Sequence, residues 1–177
     1  MTTTQITGAG IAAVLLFWVV GAYNRMVRLR NALVARFNAV DVAFRERHVL
    51  IEQQIELLGS VLLSAGPRLD ALRAACRQAD AAREHARARP GAAGAITSLR
   101  LAEEILADAR GRLPVQALGG ADAALPEVNA QLGVNDTTLV FARRDFNLAV
   151  TAYNDAVRQF PTAMLARLFG FRAAGTF

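Results

Sequence analysis

Residues 6–23 read ITGAGIAAVLLFWVVGAY, and residues 24–58 continue without a break as NRMVRLRNALVARFNAVDVAFRERHVLIEQQIELL. The first segment contains no charged residue. In the second segment, apolar residues recur at steps of three and four, a spacing typical of one face of an α-helix. No proline or glycine interrupts the run between Gly21 and Gly59. The sequence therefore predicts one helix, from Ile6 to Leu58, that begins in a membrane and ends in water.

The charges that follow the uncharged segment predict its direction in the membrane. Residues 6–23 would extend about 27 Å as a helix, close to the roughly 30 Å of a hydrocarbon core. No arginine precedes this segment, whereas a basic group follows it: Arg25, Arg28, Arg30 and Arg36. The positive-inside rule then places the C-terminal bulk in the cytoplasm and the N-terminus on the opposite side of the membrane. The same arginines are expected to contact anionic lipid headgroups.

A cleaved signal peptide is the alternative interpretation of the apolar segment. Residues 20–22, Val-Gly-Ala, would pass as a small-residue cleavage site. The preceding MTTTQ carries no positive charge, however, although a signal peptide begins with a basic region. The helical pattern also continues through the candidate site. A retained single-pass anchor is therefore favoured, and cleavage would place the bundle outside the cytoplasm.

Composition argues against several classes of function. All 20 basic residues are arginine and the net charge is +5, but the basic excess is concentrated just after the apolar segment. The few aromatic residues fall on the apolar stripes, so base-stacking platforms and a nucleic-acid partner are not expected. The single cysteine, Cys76, permits no internal disulfide and is interpreted as a small buried apolar residue.

Turn signals divide the remainder into further helices. Gly66-Pro67 and Pro90-Gly91 are turn-forming pairs, and residues 113–120 form a loop that contains Pro114. Three amphipathic helices are predicted: Arg68–Arg89, Ala95–Arg112, and a last helix that runs from an N-cap at Asn135 or Asp136 to Phe160. Residues 122–134 are ambiguous, because Pro126 can open a short helix but Gly133 weakens its continuation. The expected fold is all-α, with an N-terminal transmembrane helix continuous with an antiparallel up-down four-helix bundle. The predicted regions are an anchor at 1–23, a helical bundle at 24–160 and an apolar tail at 161–177.

The tail is unusually apolar for a terminal segment. Its notable residues are Phe160, Pro161, Phe169, Gly170 and Phe171. Because the antiparallel last helix returns towards the membrane, the tail is delivered near the bilayer surface, where its apolar residues and arginines suit an interfacial segment. The alternative is that the tail folds back and caps the core.

Several stretches together resemble the LemA family. They are YNRMVRLRN at 23–31, VDVAFRERH at 40–48, FARRDFN at 141–147, and LFGF at 168–171. The resemblance covers both long helices and both ends of the chain. It implies an N-terminally anchored, largely cytoplasmic helical bundle, without a general enzymatic activity and without a cofactor.

Asparagines at seven-residue intervals are candidates for fixing the register of the bundle. Asn24, Asn31 and Asn38 lie on one face of the first helix, and Asn147 and Asn154 lie on one face of the last. Antiparallel neighbours could pair these amides across the bundle, as buried asparagines do in coiled coils. The other interpretation is that they flank the apolar stripes in solvent. Tyr153 lies on the apolar stripe of the last helix.

Charged and titratable residues on the two long helices suggest structural roles. His48 lies in the first helix's stripe, between Phe44 and Ile51, and is expected in or near the core with a hydrogen bond to a neighbour. Asp41, Arg45 and Arg47 on the first helix could form an ion network with Arg143, Arg144 and Asp145 on the last helix. The simpler expectation is a pair within the first helix, between Asp41 and Arg45 one turn later. The pair Glu103-Glu104 is interpreted as a solvated helix face.

No pattern of catalytic, metal-binding or phosphate-binding residues is recognisable. Neither histidine has a glutamate three residues before it, so the di-metal bundle signature is absent. The expected function is that of a membrane-anchored scaffold or adaptor that binds a protein partner or another copy of itself. The alternative is a lipid- or ligand-binding sensor with a pocket between the alanine-rich second and third helices.

Overall fold

The computed structural model describes residues 3–61, 66–113 and 124–177. It contains five helices in these residues: α1 (Thr3–Val61), α2 (Gly66–Ala88), α3 (Ala93–Gly111), α4 (Ala124–Arg158) and α5 (Thr162–Leu168). The all-helical fold is confirmed, and so is the continuous first helix, which runs three residues further than predicted at each end. Leu113 is described, but the remainder of the predicted loop at 113–120 lies outside these ranges.

Helices α1 to α4 form an antiparallel bundle around two apolar clusters. α1 packs against α4 on one side and against α2 on the other, and α2 packs against α3. The cluster nearer the apolar end of α1 is centred on Phe37, Phe44 and Phe146. The distal cluster contains Ile51, Leu58, Leu72, Leu106 and Leu132, among others. The predicted stripes therefore form the core, since burial of leucine- and phenylalanine-sized side chains supplies most of the driving force.

The last long helix begins 11 residues earlier than predicted. Leu125, Val128 and Leu132 are buried in the distal cluster, so packing holds the first turns of α4 in place. Gly133 lies inside the helix and does not end it. Asn135 is not an N-cap: it is buried, and its Nδ2 donates to the carbonyl oxygen of Ala43, 3.2 Å away. Tertiary packing here outweighs the weak helix propensity of glycine.

The connection after α4 turns the chain back along the bundle. α4 ends at Arg158, the Phe160–Pro161 peptide bond is cis, and α5 follows at once. At Phe169 the helix ends in a turn in which Gly170 adopts a positive φ of 73°, and residues 171–177, called the extended segment below, follow without regular secondary structure. A left-handed residue at the end of a helix favours glycine, because other side chains are strained there.

Candidate functional site

The exposed apolar part of α1 is the first functional feature. Ile11, Val14, Leu15, Leu16 and Phe17 are each more than half exposed, and every described side chain from residue 7 to residue 18 faces solvent. The first buried core residue of α1 is Met26. α1 is the one described helix long and apolar enough to cross a membrane. Side chains of this kind need an apolar environment that the bundle does not provide.

The boundary between this segment and the bundle carries positive charge and aromatic rings. Arg25, Arg28 and Arg30 are exposed there. The ring of Tyr23 contacts Phe169 and Phe171 edge-on, with centroids 5.1 Å and 5.8 Å away. The structure thus brings the tail to the end of the apolar segment, as the up-down topology predicted. Arg36 lies nearly two turns beyond this group, and its Nη1 approaches Oδ2 of Asp145 on α4 at 3.5 Å.

Helix α5 has one buried side and one exposed apolar side. Ala166 is buried against the bundle, whereas Phe160, Met164 and Leu168 are 78%, 67% and 75% exposed. Phe169, in contact with Tyr23, is 47% exposed. These four residues are called the α5 apolar patch below. Arg167 and Arg172 lie exposed near it. The patch therefore lies beside Tyr23, at the base of the predicted span.

The extended segment after α5 is held by side chains of α4. Asn154 bonds Ala174 twice, its Nδ2 donating to the carbonyl oxygen at 2.9 Å and its Oδ1 accepting from the amide at 2.7 Å. Asn147 makes the same pair of bonds with Phe177, at 3.3 Å and 3.0 Å. The Tyr153 hydroxyl donates to the carbonyl oxygen of Arg172. The extended segment thus covers the core, and Phe171, Ala174 and Phe177 pack on the first cluster.

The predicted pairing of asparagines across the bundle is therefore wrong. Asn24, Asn31 and Asn38 are exposed on α1. Asn147 and Asn154 give both their amide donors and acceptors to the returning segment instead. The seven-residue spacing does align them along one face, but the neighbour on that face is extended backbone. An extended chain offers a free N–H and C=O at intervals, which a carboxamide matches with one donor and one acceptor.

A buried polar cluster joins α1 to α3 in the middle of the bundle. Arg47 and His48 both contact the Glu103 carboxylate, with Nη1 at 2.7 Å from Oε2 and Nε2 at 2.9 Å from Oε1. All three residues are buried. The prediction that Glu103 faces solvent is wrong; only Glu104 does, and it pairs with Arg100. Sequence periodicity missed Glu103 because a buried carboxylate depends on partners from another helix.

Asp41 pairs with α2 and not with Arg45. Its Oδ1 accepts from Nη1 of Arg83 at 2.7 Å, and both side chains are buried, whereas Arg45 is exposed. Burial alone would lower the pKa of Arg83, but its bonds to Asp41 and Asp80 hold that pKa above the ordinary value. The pairing differs from the expectation because Asp41 lies on the α2 side of α1, where an interhelical partner excludes water better than one on the same helix.

Arg143 and Arg144 have different surroundings. The Arg143 guanidinium lies over the rings of Phe44 and Phe177, with 4.9 Å and 5.4 Å from Cζ to the two centroids. Burial lowers the pKa of Arg143 below its ordinary value. Arg144 is exposed on the same helix. Neither guanidinium has a carboxylate within 4.0 Å among the described residues. Ion pairs between α1 and α4 do form, but through other arginines: Arg36 pairs with Asp145, and Arg47 pairs with Asp136.

The described residues contain no cluster of three or more histidine, cysteine or acidic side chains suited to a metal ion. Cys76 is buried, and burial raises the pKa of its thiol to about 11. A thiol in this state is a poor nucleophile at neutral pH, because the reactive form is the thiolate.

An all-helical bundle with an exposed apolar N-terminal helix and a returning C-terminal segment defines a class of protein compatible with membrane anchoring. A family model described as the LemA family matches residues 36–177, which is most of the chain. The protein belongs to the LemA family. A search of curated proteins and a search of solved structures returned no match.

Proposed function

We propose that this LemA family protein is a single-pass protein of a bacterial inner membrane. Its bundle serves as a scaffold or adaptor at the cytoplasmic face, and it acts by binding and not by catalysis. The observation that carries the proposal is the continuity of α1, whose exposed apolar segment runs directly into the core of the bundle. An uninterrupted helix transmits the orientation of the span to the bundle. The exposed arginines at the boundary support the cytoplasmic orientation.

A second observation supports a role in protein contacts. Val134, Phe141 and Leu148 lie seven residues apart on α4 and are 71%, 59% and 61% exposed. Seven residues are two helical turns, so these side chains form one stripe on the face of α4 that points away from the core. Large apolar side chains in a row on a helix surface are a common basis of helix-mediated association. The proposed occupant is a protein helix, from another copy of this chain or from a partner.

Two measurements on membranes test the proposal. Carbonate extraction at high pH should leave the full chain in the membrane pellet, and release into the supernatant would contradict the anchor. Cross-linking in intact cells, followed by purification through a C-terminal tag, should give a defined complex that is lost in the double variant Phe141→Ser, Leu148→Ser. Leu101→Ser, at an exposed apolar position of α3, is the matched control and should keep the complex. Equal yields from all three proteins would contradict binding through α4.

A further inference from the structure

The bundle is open between α3 and α4. Among the described residues, no Cα of α3 lies within 8 Å of a Cα of α4, although these helices flank the same core. The resulting cleft has a volume of about 660 Å³. A second cleft, of about 830 Å³, lies between α2 and α3, on the side where the sequence suggested a ligand pocket. The α3–α4 cleft differs from it in charge, because four arginines line it against two in the α2–α3 cleft.

Arginine dominates the polar lining of this cleft. Four arginines and two glutamates line it: Arg47, Arg100, Arg143, Arg144, Glu103 and Glu104. Arg47 is held by Glu103, and Arg100 by Glu104. Both carboxylates are thus already used, and the charges of Arg143 and Arg144 remain uncompensated by any described acidic side chain within 4.0 Å.

Arg143 is held in the manner of an anion-binding residue. Its guanidinium carbon lies over the rings of both Phe44 and Phe177, which restricts the side chain and excludes water from part of its surface. Its Nε is buried and has no hydrogen-bond partner among the described residues. A buried donor without a partner costs free energy that an added acceptor would recover. The planar fork of a guanidinium matches a carboxylate or a phosphate with two parallel hydrogen bonds.

The position of the cleft excludes a lipid headgroup as the acceptor. Phe44, whose ring lies beneath the Arg143 guanidinium, follows Tyr23 by 21 residues of continuous helix. At 1.5 Å per residue, Arg143 lies roughly 30 Å above the base of the span. Headgroups extend only about 5 to 8 Å beyond the hydrocarbon core. The anion that reaches Arg143 must therefore come from solution.

We infer that the cleft between α3 and α4 binds a soluble anion, a carboxylate or a phosphate carried by a partly apolar small molecule, and that Arg143 is its principal ligand. Val140 and the ring of Phe177 supply apolar walls beside the guanidinium. Arg144 contributes a second positive charge at the mouth. The exclusion of a lipid headgroup rests on the proposed membrane span, whereas the cleft itself is formed by the bundle.

The test is a titration of the full-length protein in detergent micelles with sodium benzoate and, separately, with sodium phosphate at constant ionic strength. The readout is the nuclear magnetic resonance signal of the Arg143 Nε–H group, assigned by its loss in Arg143→Lys. The signal should shift saturably with one anion or both. A shift with benzoate alone identifies a carboxylate site, and a shift with phosphate alone identifies a phosphate site. Shifts with both anions identify a general anion site. No shift with either anion up to about 20 mM overturns the inference.

Matched variants separate specific binding from general attraction to a basic protein. Backbone amide signals of Val140 and Asn147 report binding in all variants. Arg143→Met should weaken binding at least tenfold, and Arg158→Met, at an exposed position of the same helix outside the cleft, should leave it unchanged. Arg143→Lys keeps the positive charge but loses the planar guanidinium, and it should also weaken binding tenfold. This variant provides the test if Arg143→Met does not fold. Equal binding by the wild type and both Arg143 variants would overturn the assignment.

Discussion

At Gly175 the returning segment lies against the backbone of the turn between α2 and α3. The Gly175 amide lies 3.4 Å from the carbonyl oxygen of Gly91, in this turn. A Cβ atom added at Gly175 would lie 2.6 Å from the Cα of Ala93, which is too short for any real contact. Glycine is therefore required here by the close approach of two backbones and not by an unusual φ.

Gly175→Ala should lower the melting temperature of the protein, because either the extended segment or the start of α3 must move. Gly133→Ala is the matched control, and it should raise the melting temperature. Gly133 lies in an exposed part of α4 with nothing within 4 Å of an added Cβ, so alanine there should stabilise the helix by about 0.5 to 1 kcal/mol. Thermal unfolding of both variants, followed by circular dichroism, measures the difference. A stabilising effect of Gly175→Ala would contradict the docked position of the segment.

Glu103 and Glu104 are adjacent in sequence and opposite in environment. Glu103→Ala leaves Arg47 and His48 buried without their shared acceptor, and should cost about 3 to 5 kcal/mol of unfolding free energy. Glu104→Ala removes one exposed ion pair with Arg100 and should cost about 0.5 kcal/mol or less. Urea denaturation in the same detergent gives both values. Similar losses for the two variants would show that the buried cluster is not formed as described.

Among the elements, α5 joins the last long helix to the segment that covers the core. Its buried side is a single alanine, Ala166, flanked by partly buried residues, so the short helix lies close to the core. Phe169 of the α5 apolar patch contacts Tyr23. Of the two expectations for the tail, covering of the core is met by residues 171–177, and an interfacial position stays a prediction for α5.

The α5 apolar patch should enter the lipid interface. In a Trp18→Phe background, which removes the single native tryptophan, Leu168→Trp should be quenched strongly by brominated lipids in reconstituted vesicles. Val140→Trp, at a comparably exposed position on α4, should show little quenching because it lies far from the span. Equal quenching of the two probes would contradict a membrane contact specific to α5.

At the scale of the whole molecule, the sequence predicts what depends on local periodicity. The apolar stripes on α1 and α4 could be recognised because 3.6-residue periodicity is a property of one segment. The partners of Glu103, Asp41, Asn147 and Asn154 could not, because each partner is supplied by a different element. The early start of α4 could not be predicted for the same reason. Leu125 and Leu132 are helical because they are buried in the distal cluster, whereas the local signal in this stretch is Gly133, whose helix propensity is low.

The candidate sites also divide into those that one segment of sequence reveals and those that depend on contacts between elements. The basic group at 25–36 and the apolar tail were visible as charge and hydropathy along the chain. The α3–α4 cleft was not, since its existence depends on the spacing of two helices and on a phenylalanine, Phe177, that arrives from the end of the chain. Arg143 was noted as part of a charged triplet, but its position over the rings of Phe44 and Phe177 required the folded structure.

We propose that α1 is retained as a membrane span, with the bundle on the cytoplasmic side. The most direct measurement is labelling of single cysteines by a membrane-impermeant maleimide in spheroplasts, in a Cys76→Ser background. Thr2→Cys should be labelled in intact spheroplasts, and Thr151→Cys, at an exposed position of α4, only after the membrane is permeabilised. Labelling of Thr151→Cys in intact spheroplasts, or loss of the N-terminal label through cleavage near residue 22, would contradict the account.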